Sequence, residues 1–221
     1  MPVKFFRYSG AKTRFIDIIN SYIITNKKVY CEPFVGSGAV LFNLHREFDK
    51  YIINDIDQNI IRIYKTFKEI EYDYYLDVVN FVFSKFGKFT SDRRYSNNGE
   101  DEKKNWYNFR NWYNETHWKT DTIDEGIYLH MLANSCINSF LRFSPNGMNS
   151  SYGLRMYFLE RKNFNKIKNI LLRTEIHCSD YKNMLNEDCF FFCDPPYASR
   201  NSSYTGFSFE QQYEFIELIK K

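Results

Sequence analysis

The tetrapeptide Asp194-Pro195-Pro196-Tyr197, set directly after the apolar run Phe190-Phe191-Phe192-Cys193, constrains this chain more than any other feature. A run of bulky apolar residues closed by a turn signal reads as a buried strand, and open α/β sheets place their chemistry at the carboxyl ends of strands. Each Pro fixes φ and lacks an N–H, so the pair makes a stiff turn that presents carbonyl oxygens without competing donors. Such a turn suits a substrate amine. The exocyclic amino group of a nucleobase is a poor nucleophile because its lone pair is delocalised into the ring, and acceptors placed around its hydrogens oppose that delocalisation. Asp194 and the Pro195 carbonyl are the candidate acceptors, and Tyr197 is a candidate stacking wall.

A second site lies far upstream. Val29-Tyr30-Cys31 is a short β-prone run, followed by Glu32-Pro33-Phe34-Val35-Gly36-Ser37-Gly38 and by the apolar stretch Val40-Leu41-Phe42-Leu44, which reads as a helix. Gly36 and Gly38 tolerate φ > 0 and let the backbone approach a ligand, while a helix amino terminus offers unpaired N–H groups. A dinucleotide fingerprint requires Gly at position 41, where Leu41 stands, so a nicotinamide or flavin site is disfavoured. The next run, Tyr51-Ile52-Ile53-Asn54-Asp55, reads as a strand ending in a carboxylate placed to accept from ribose hydroxyls.

Between Asp57 and about Tyr157 the pattern turns helical. Trp106, Phe109 and Trp112-Tyr113 recur at helical spacing and read as core, as do Ile127 and Met131 on a following helix. Lys85 to Lys104, with Arg93 and Arg94, lacks periodicity and reads as an exposed loop. Pro145-Asn146-Gly147 is a turn signal between short apolar runs, so Asn138 to Gly153 reads as a hairpin-like projection able to enter a DNA groove, with Arg142 able to donate twice to the O6 and N7 edge of guanine. The five cysteines are scattered without metal spacing and read as reduced core residues. A net charge of +3 is too mild to indicate nucleic acid by itself. The sequence has no signal peptide and no membrane-spanning run, which leads to the expectation of a cytoplasmic protein with no membrane partner.

The pieces Phe5-Phe6-Arg7-Tyr8-Ser9-Gly10-Ala11-Lys12, Glu32 to Gly38, Asn54-Asp55 and Asp194 to Tyr197 stand in the order found in DNA adenine methyltransferases of the Dam and DpnM type. Arg142 to Gly153 and Phe207 to Gln212 extend the resemblance over nearly the whole chain. The resemblance implies a Rossmann-like class I methyltransferase sheet, α/β in class, with a mostly helical target-recognition domain at 57–157 inserted between catalytic segments 1–56 and 158–221. It implies S-adenosylmethionine as methyl donor, no metal, and double-stranded DNA as partner. It places Tyr8, Lys12, Phe34, Gly36, Gly38, Asp55, Asp180, Tyr181 and Asp194 at the cofactor, and Asp194, Pro195 and Tyr197 at a flipped adenine. Arg7, Asn138 and Arg142 fall to DNA, Arg142 at the first guanine of GATC.

Departures accompany the matches. Arg7 and Ala11 replace the usual Lys and Gly of the first motif, and Phe140 and Ser151 replace residues common in GATC enzymes. Family members continue beyond the equivalent of Lys221 with further strands. The resulting expectation is a sheet incomplete at its carboxyl-terminal side, with Phe190 to Cys193 at an edge, and a chain that is poorly stable or inactive unless a second polypeptide supplies those strands. Two alternatives stay open at this point: a non-catalytic remnant that binds DNA or a partner, and a methyltransferase acting on cytosine amino groups or on RNA.

Overall fold

The computed structural model describes residues 2–90, 99–184, 188–197 and 207–219. Its centre is a four-stranded sheet in the order β5-β2-β1-β6, formed by β1 (Val29–Glu32), β2 (Lys50–Asn54), β5 (Thr174–His177) and β6 (Phe190–Phe191), with every pair parallel. Tyr30 of β1 faces Tyr51 on one side and Phe190 on the other, so an aromatic row crosses the sheet. The α/β class with a parallel sheet is the one expected.

Parallel strands need crossovers; among the described residues α-helices fill the one between β2 and β5, while single 3-10 turns at Leu41–Asn43 and Tyr181–Met184 lie in the connections from β1 to β2 and from β5 to β6. The short helix α1 (Ile16–Ser21) precedes β1, and α7 (Phe209–Ile219) follows β6. Between β2 and β5 run α2 (Gln58–Glu69), α3 (Tyr72–Phe86), α4 (Gly99–Thr116), α5 (Ile123–Ser135), the hairpin β3 (Phe143–Ser144) and β4 (Gly147–Met148), and α6 (Arg161–Leu171). Asp57 caps α2 by accepting from the Asn59 N–H at 2.8 Å. α2 buries Ile60, Tyr64 and Phe67 against α5, which is buried along nearly its whole length. One hydrophobic core runs from the sheet into these helices. Each fully buried ring in it, such as Phe67, contributes on the order of 1.5–3 kcal/mol.

The amino-terminal segment is held on α5. His130, fully buried, bonds the Phe5 carbonyl through Nε2 at 2.9 Å, and the Asn134 Oδ1 accepts from the Arg7 N–H at 3.1 Å. This fixes the residue that follows, Tyr8.

Four expectations are corrected. Val40 to Leu44 forms only a single 3-10 turn at Leu41–Asn43, because the Asn43 side chain is taken up by the Val3 N–H and carbonyl and the backbone turns extended at Leu44, with ψ 133°. The supposed loop at Lys85 to Lys104 is helical at its two ends, Lys85–Phe86 in α3 and Gly99–Lys104 in α4, and Arg93 and Arg94 lie outside the described residues. Cys178 is exposed and Cys193 half-buried, while Cys31, Cys136 and Cys189 are buried; all five are free thiols. The Phe190–Phe191 strand is half-buried rather than buried, since among the described residues it pairs only with β1 and forms the sheet edge. Trp106, Phe109 and Tyr113 are fully buried, as read from their spacing, while Trp112 is only half-buried and packs against that core.

Candidate active site

A cleft of about 770 Å³ opens at the carboxyl ends of β1, β2 and β6. Its floor is the glycine loop after β1. The Asp55 Oδ2 accepts from the Gly36 N–H at 3.0 Å, and the Tyr64 hydroxyl donates to the Gly36 carbonyl at 3.0 Å. The Tyr8 ring covers the same glycine so closely that a Cβ on Gly36, where φ is +47°, would stand 2.9 Å from it. Burial, reinforced by Asp55 and Asp57, pushes the Tyr8 phenol well up. Asp55 spends its other oxygen on the Asp57 N–H at 3.0 Å, and burial raises its carboxyl above the usual range.

Asn54, buried at the end of β2, ties three strand ends together. Its amide donates to the carbonyls of Pro33 at 3.1 Å and Ser179 at 3.0 Å, and its Oδ1 accepts from the Ser179 N–H at 2.9 Å. That staple sets Asp180 and Tyr181 beside the cleft. The Tyr181 ring packs 5.1 Å from Phe34, with Phe207 and Phe215 of the α7 region behind them. The Tyr181 hydroxyl oxygen is buried without a hydrogen-bond partner. α7 begins on a reciprocal pair in which Gln211 accepts from the Ser208 N–H at 2.8 Å and the Ser208 hydroxyl accepts from the Gln211 N–H at 3.2 Å.

Across the cleft, the pairing of β6 with β1 continues through the Phe192 N–H to the Cys31 carbonyl at 2.9 Å, and Asp194 follows. Lys12 Nζ donates to Asp194 Oδ2 at 2.5 Å and to the Gly10 carbonyl at 3.0 Å. Tyr197 lies over the same ammonium, 5.4 Å from ring centroid to Nζ, and its hydroxyl reaches Asp194 Oδ1 at 3.4 Å. Partial burial pulls the Lys12 ammonium down, but Asp194 outweighs it and the net shift is upward.

Glu32, to which the sequence assigned no role, is a further cleft residue. Tyr30 and Glu32 stand two apart on one face of β1, and the Tyr30 hydroxyl donates to the buried Glu32 Oε2 at 2.8 Å. Burial, with Asp194 and Asp55 nearby, pushes the Glu32 carboxyl up to about 8 against the opposing bonds from Tyr30 and the Leu41 backbone. The only sequence signal was an acid placed two residues after a strand Tyr.

The cleft thus collects Tyr8, Lys12, Phe34, Gly36, Asp55, Asp180, Tyr181, Asp194, Pro195, Tyr197 and Arg142. Arg142 is exposed at its rim on a loop fixed by the Arg142 N–H to Ser150 Oγ at 2.8 Å. Gly38, Arg7 and Asn138 do not line it. Gly38, at φ +65°, lies against Phe42 and Tyr64, where a Cβ would come within 2.7 Å of both. The Arg7 guanidinium turns toward the Tyr157 ring instead, and Asn138 is exposed with φ +52°. Among the described residues no group of three or more His, Cys, Asp or Glu is placed to hold a metal ion, and no helix is long and apolar enough to cross a membrane.

Comparison with known proteins shows the family. The chain is 28% identical to the type II methyltransferase M.MjaIII of Methanocaldococcus jannaschii, over 97% of this chain and 76% of that protein. It is 25% identical to the DNA adenine methylase of Haemophilus influenzae, over 98% and 73%. It is 21% identical to the type II methyltransferase M.CviBI of Paramecium bursaria Chlorella virus NC1A, over 96% and 75%. The expectation of a second polypeptide finds no support in these comparisons. With the family profile matching residues 8–221, the chain belongs to the D12 class N6 adenine-specific DNA methyltransferases, enzymes that methylate DNA.

Proposed function

We propose that this chain transfers a methyl group from S-adenosylmethionine to the exocyclic amino group of an adenine flipped out of duplex DNA, in the sequence GATC. The observation that carries the reading is the meeting of Lys12, Asp194 and Tyr197 opposite the Asp55-bound glycine loop in one cleft. Two features support the donor. The lining carboxyls Asp55, Asp57, Asp180 and Asp194 outnumber the cations Lys12 and Arg142, which favours a positively charged sulfonium ligand. The orphaned Tyr181 hydroxyl also offers a partner to a polar ligand beside Phe34.

Bound there, S-adenosylmethionine supplies an activated methyl on sulfur. Asp55 would accept from the ribose, Phe34, Asp180 and Tyr181 would receive its adenine, and Tyr8, Lys12 and Gly36 would shape the remainder of the site, with Gly38 holding the loop from beneath. The flipped base stacks on Tyr197 because its amino group is inaccessible to in-line attack within the duplex. Asp194 and the Pro195 carbonyl accept from that amino group, localise its lone pair and favour the developing positive charge. Holding the reactants in line supplies much of the rate. Residues 57–157 act as the target-recognition domain, in which Arg142 reads the first guanine while Asn138 and Arg7 contact DNA.

Calorimetric titration with S-adenosylmethionine tests the cofactor assignment. Asp55→Ala removes a hydrogen bond to a charged group worth about 1.5–3 kcal/mol, so affinity drops about 10- to 100-fold. Equal affinity in both proteins removes Asp55 from the site.

A further inference from the structure

Resting on that reading of the cleft, we propose that Asn134 is a positioning residue for methyl transfer, tying the segment that carries Tyr8 and Lys12 to the same helix end that holds the Arg142 loop. The cofactor side and the DNA side of the reaction then share one support.

Asn134 stands in the last turn of α5 and is 2% exposed. An amide inside a helix competes with the backbone bonds, and burying one is costly unless it is bonded. Here it is bonded outward. The Asn134 Oδ1 accepts from the Arg7 N–H at 3.1 Å, across 127 positions, and its Nδ2 lies 3.1 Å from His130 Nε2, which itself meets the Phe5 carbonyl at 2.9 Å. The chain is thus clasped at Phe5 and Arg7, directly ahead of Tyr8, whose ring covers Gly36. Past Arg7 the segment turns on itself, with the Ala11 N–H reaching the Tyr8 carbonyl at 3.4 Å, and delivers Lys12 to Asp194 at 2.5 Å.

The residues that follow Asn134 hold the other arm. The Ser135 carbonyl accepts from the Gly153 N–H at 2.7 Å, Cys136 bridges to Tyr152, and the Ile137 N–H donates to the Ser151 carbonyl at 2.8 Å. The Ser150 hydroxyl then accepts from the Arg142 N–H at 2.8 Å, and Arg142 lines the cleft. The seam is tight, since a Cβ on Gly153 would stand 2.5 Å from the Cys136 carbonyl. The helix end is itself fixed to α4, because the Ser135 hydroxyl accepts from Trp106 Nε1 at 2.7 Å. A shift of Arg7 on this support therefore moves Tyr8 and Lys12 against whatever the Arg142 loop holds.

The test compares the wild-type chain with Asn134→Leu, Asn134→Asp, Lys12→Gln and the double variant Asn134→Leu/Lys12→Gln, using S-adenosylmethionine and an unmethylated GATC duplex. Leu matches Asn in shape but accepts no hydrogen bond, so kcat per folded chain falls about 10²-fold, the loss that a misplacement of about 1 Å brings. Duplex affinity stays at the wild-type value, because the Arg142 loop hangs from backbone groups and not from the Asn134 amide. Asp keeps an oxygen for the Arg7 N–H and offers its second one to His130 Nε2, so Asn134→Asp recovers most of the lost kcat. The double variant stays well short of the roughly 10⁴-fold loss that two independent sites would give. Asn134→Ser, whose hydroxyl turns back to its own helix, carries the same expectation as Asn134→Leu should the latter not fold. Melting curves set the folded fraction. A lowered melting temperature with wild-type kcat, an Asp variant as slow as the Leu variant, or losses that multiply overturns the positioning role alone. Wild-type kcat in Lys12→Gln overturns the cleft reading and the positioning role together.

Discussion

The Lys12 ammonium and the Asp194 carboxylate, 182 positions apart, meet at 2.5 Å and close the first glycine turn onto the strand end that carries Pro195, Pro196 and Tyr197. The pair is about one fifth exposed on each side, so solvent reaches it and its worth lies in orientation more than in stability. Lys12→Gln frees Asp194 to swing, and a misplacement of about 1 Å costs about 10²-fold in kcat. Asp194→Asn costs more. Because the two act as one unit, the double variant is no slower than Asp194→Asn alone. Steady-state kinetics of the three proteins decide this, and losses that multiply would break the coupling.

The two loop glycines separate into different roles. An Ala at position 36 pushes into the Tyr8 ring at the cleft, whereas an Ala at position 38 pushes into Phe42 and Tyr64 beneath it. Both sit at positive φ, which adds strain of about 1–3 kcal/mol for a non-glycine residue. Gly38→Ala therefore lowers the melting temperature more than Gly36→Ala, since its contacts are in the closed core. Gly36→Ala instead weakens S-adenosylmethionine binding at a given folded fraction. Melting curves and titrations on both variants check the division.

Glu32 gives the fold a pH signature. An ordinary Glu in the unfolded chain ionises near 4.5, while burial and the neighbouring Asp194 and Asp55 delay ionisation in the folded chain to about 8. Between those values the folded state holds the extra proton, so this residue's contribution to stability falls as pH rises through the window and levels off above it. Glu32→Gln removes that fall. Denaturant unfolding from about pH 5 to pH 9 should show a wild-type minus variant difference that turns steadily more negative up to about pH 8. A flat difference would mean that Glu32 is already ionised throughout.

Much of this arrangement was legible because short-range chemistry governs it. The β-prone runs at 29–31 and 51–54, the aromatic helix around Trp106 and the Pro145-Asn146-Gly147 hairpin each announce themselves by period or turn residue. The placing of Asp55, Asp194 and Tyr197 just after strands was legible too, and the three line one cleft. What stayed hidden depends on distant partners. Nothing local says that Lys12 reaches Asp194, or that Asn54 joins Pro33 to Ser179. Gly38 reads as a ligand-facing glycine until Phe42 and Tyr64 are seen against it. The stretch at Val40 to Asn43 misled because what ends its turn is a distant partner, the Val3 backbone held by the Asn43 side chain.

The central claim is methyl transfer to adenine through Asp194. Incubating the purified chain with S-adenosylmethionine carrying a labelled methyl and unmethylated GATC duplex, followed by nucleoside analysis, tests it directly, with Asp194→Ala alongside. The account predicts label in N6-methyladenine for the wild type and none above background for the variant. Label in methylcytosine, or equal transfer by Asp194→Ala, would contradict it.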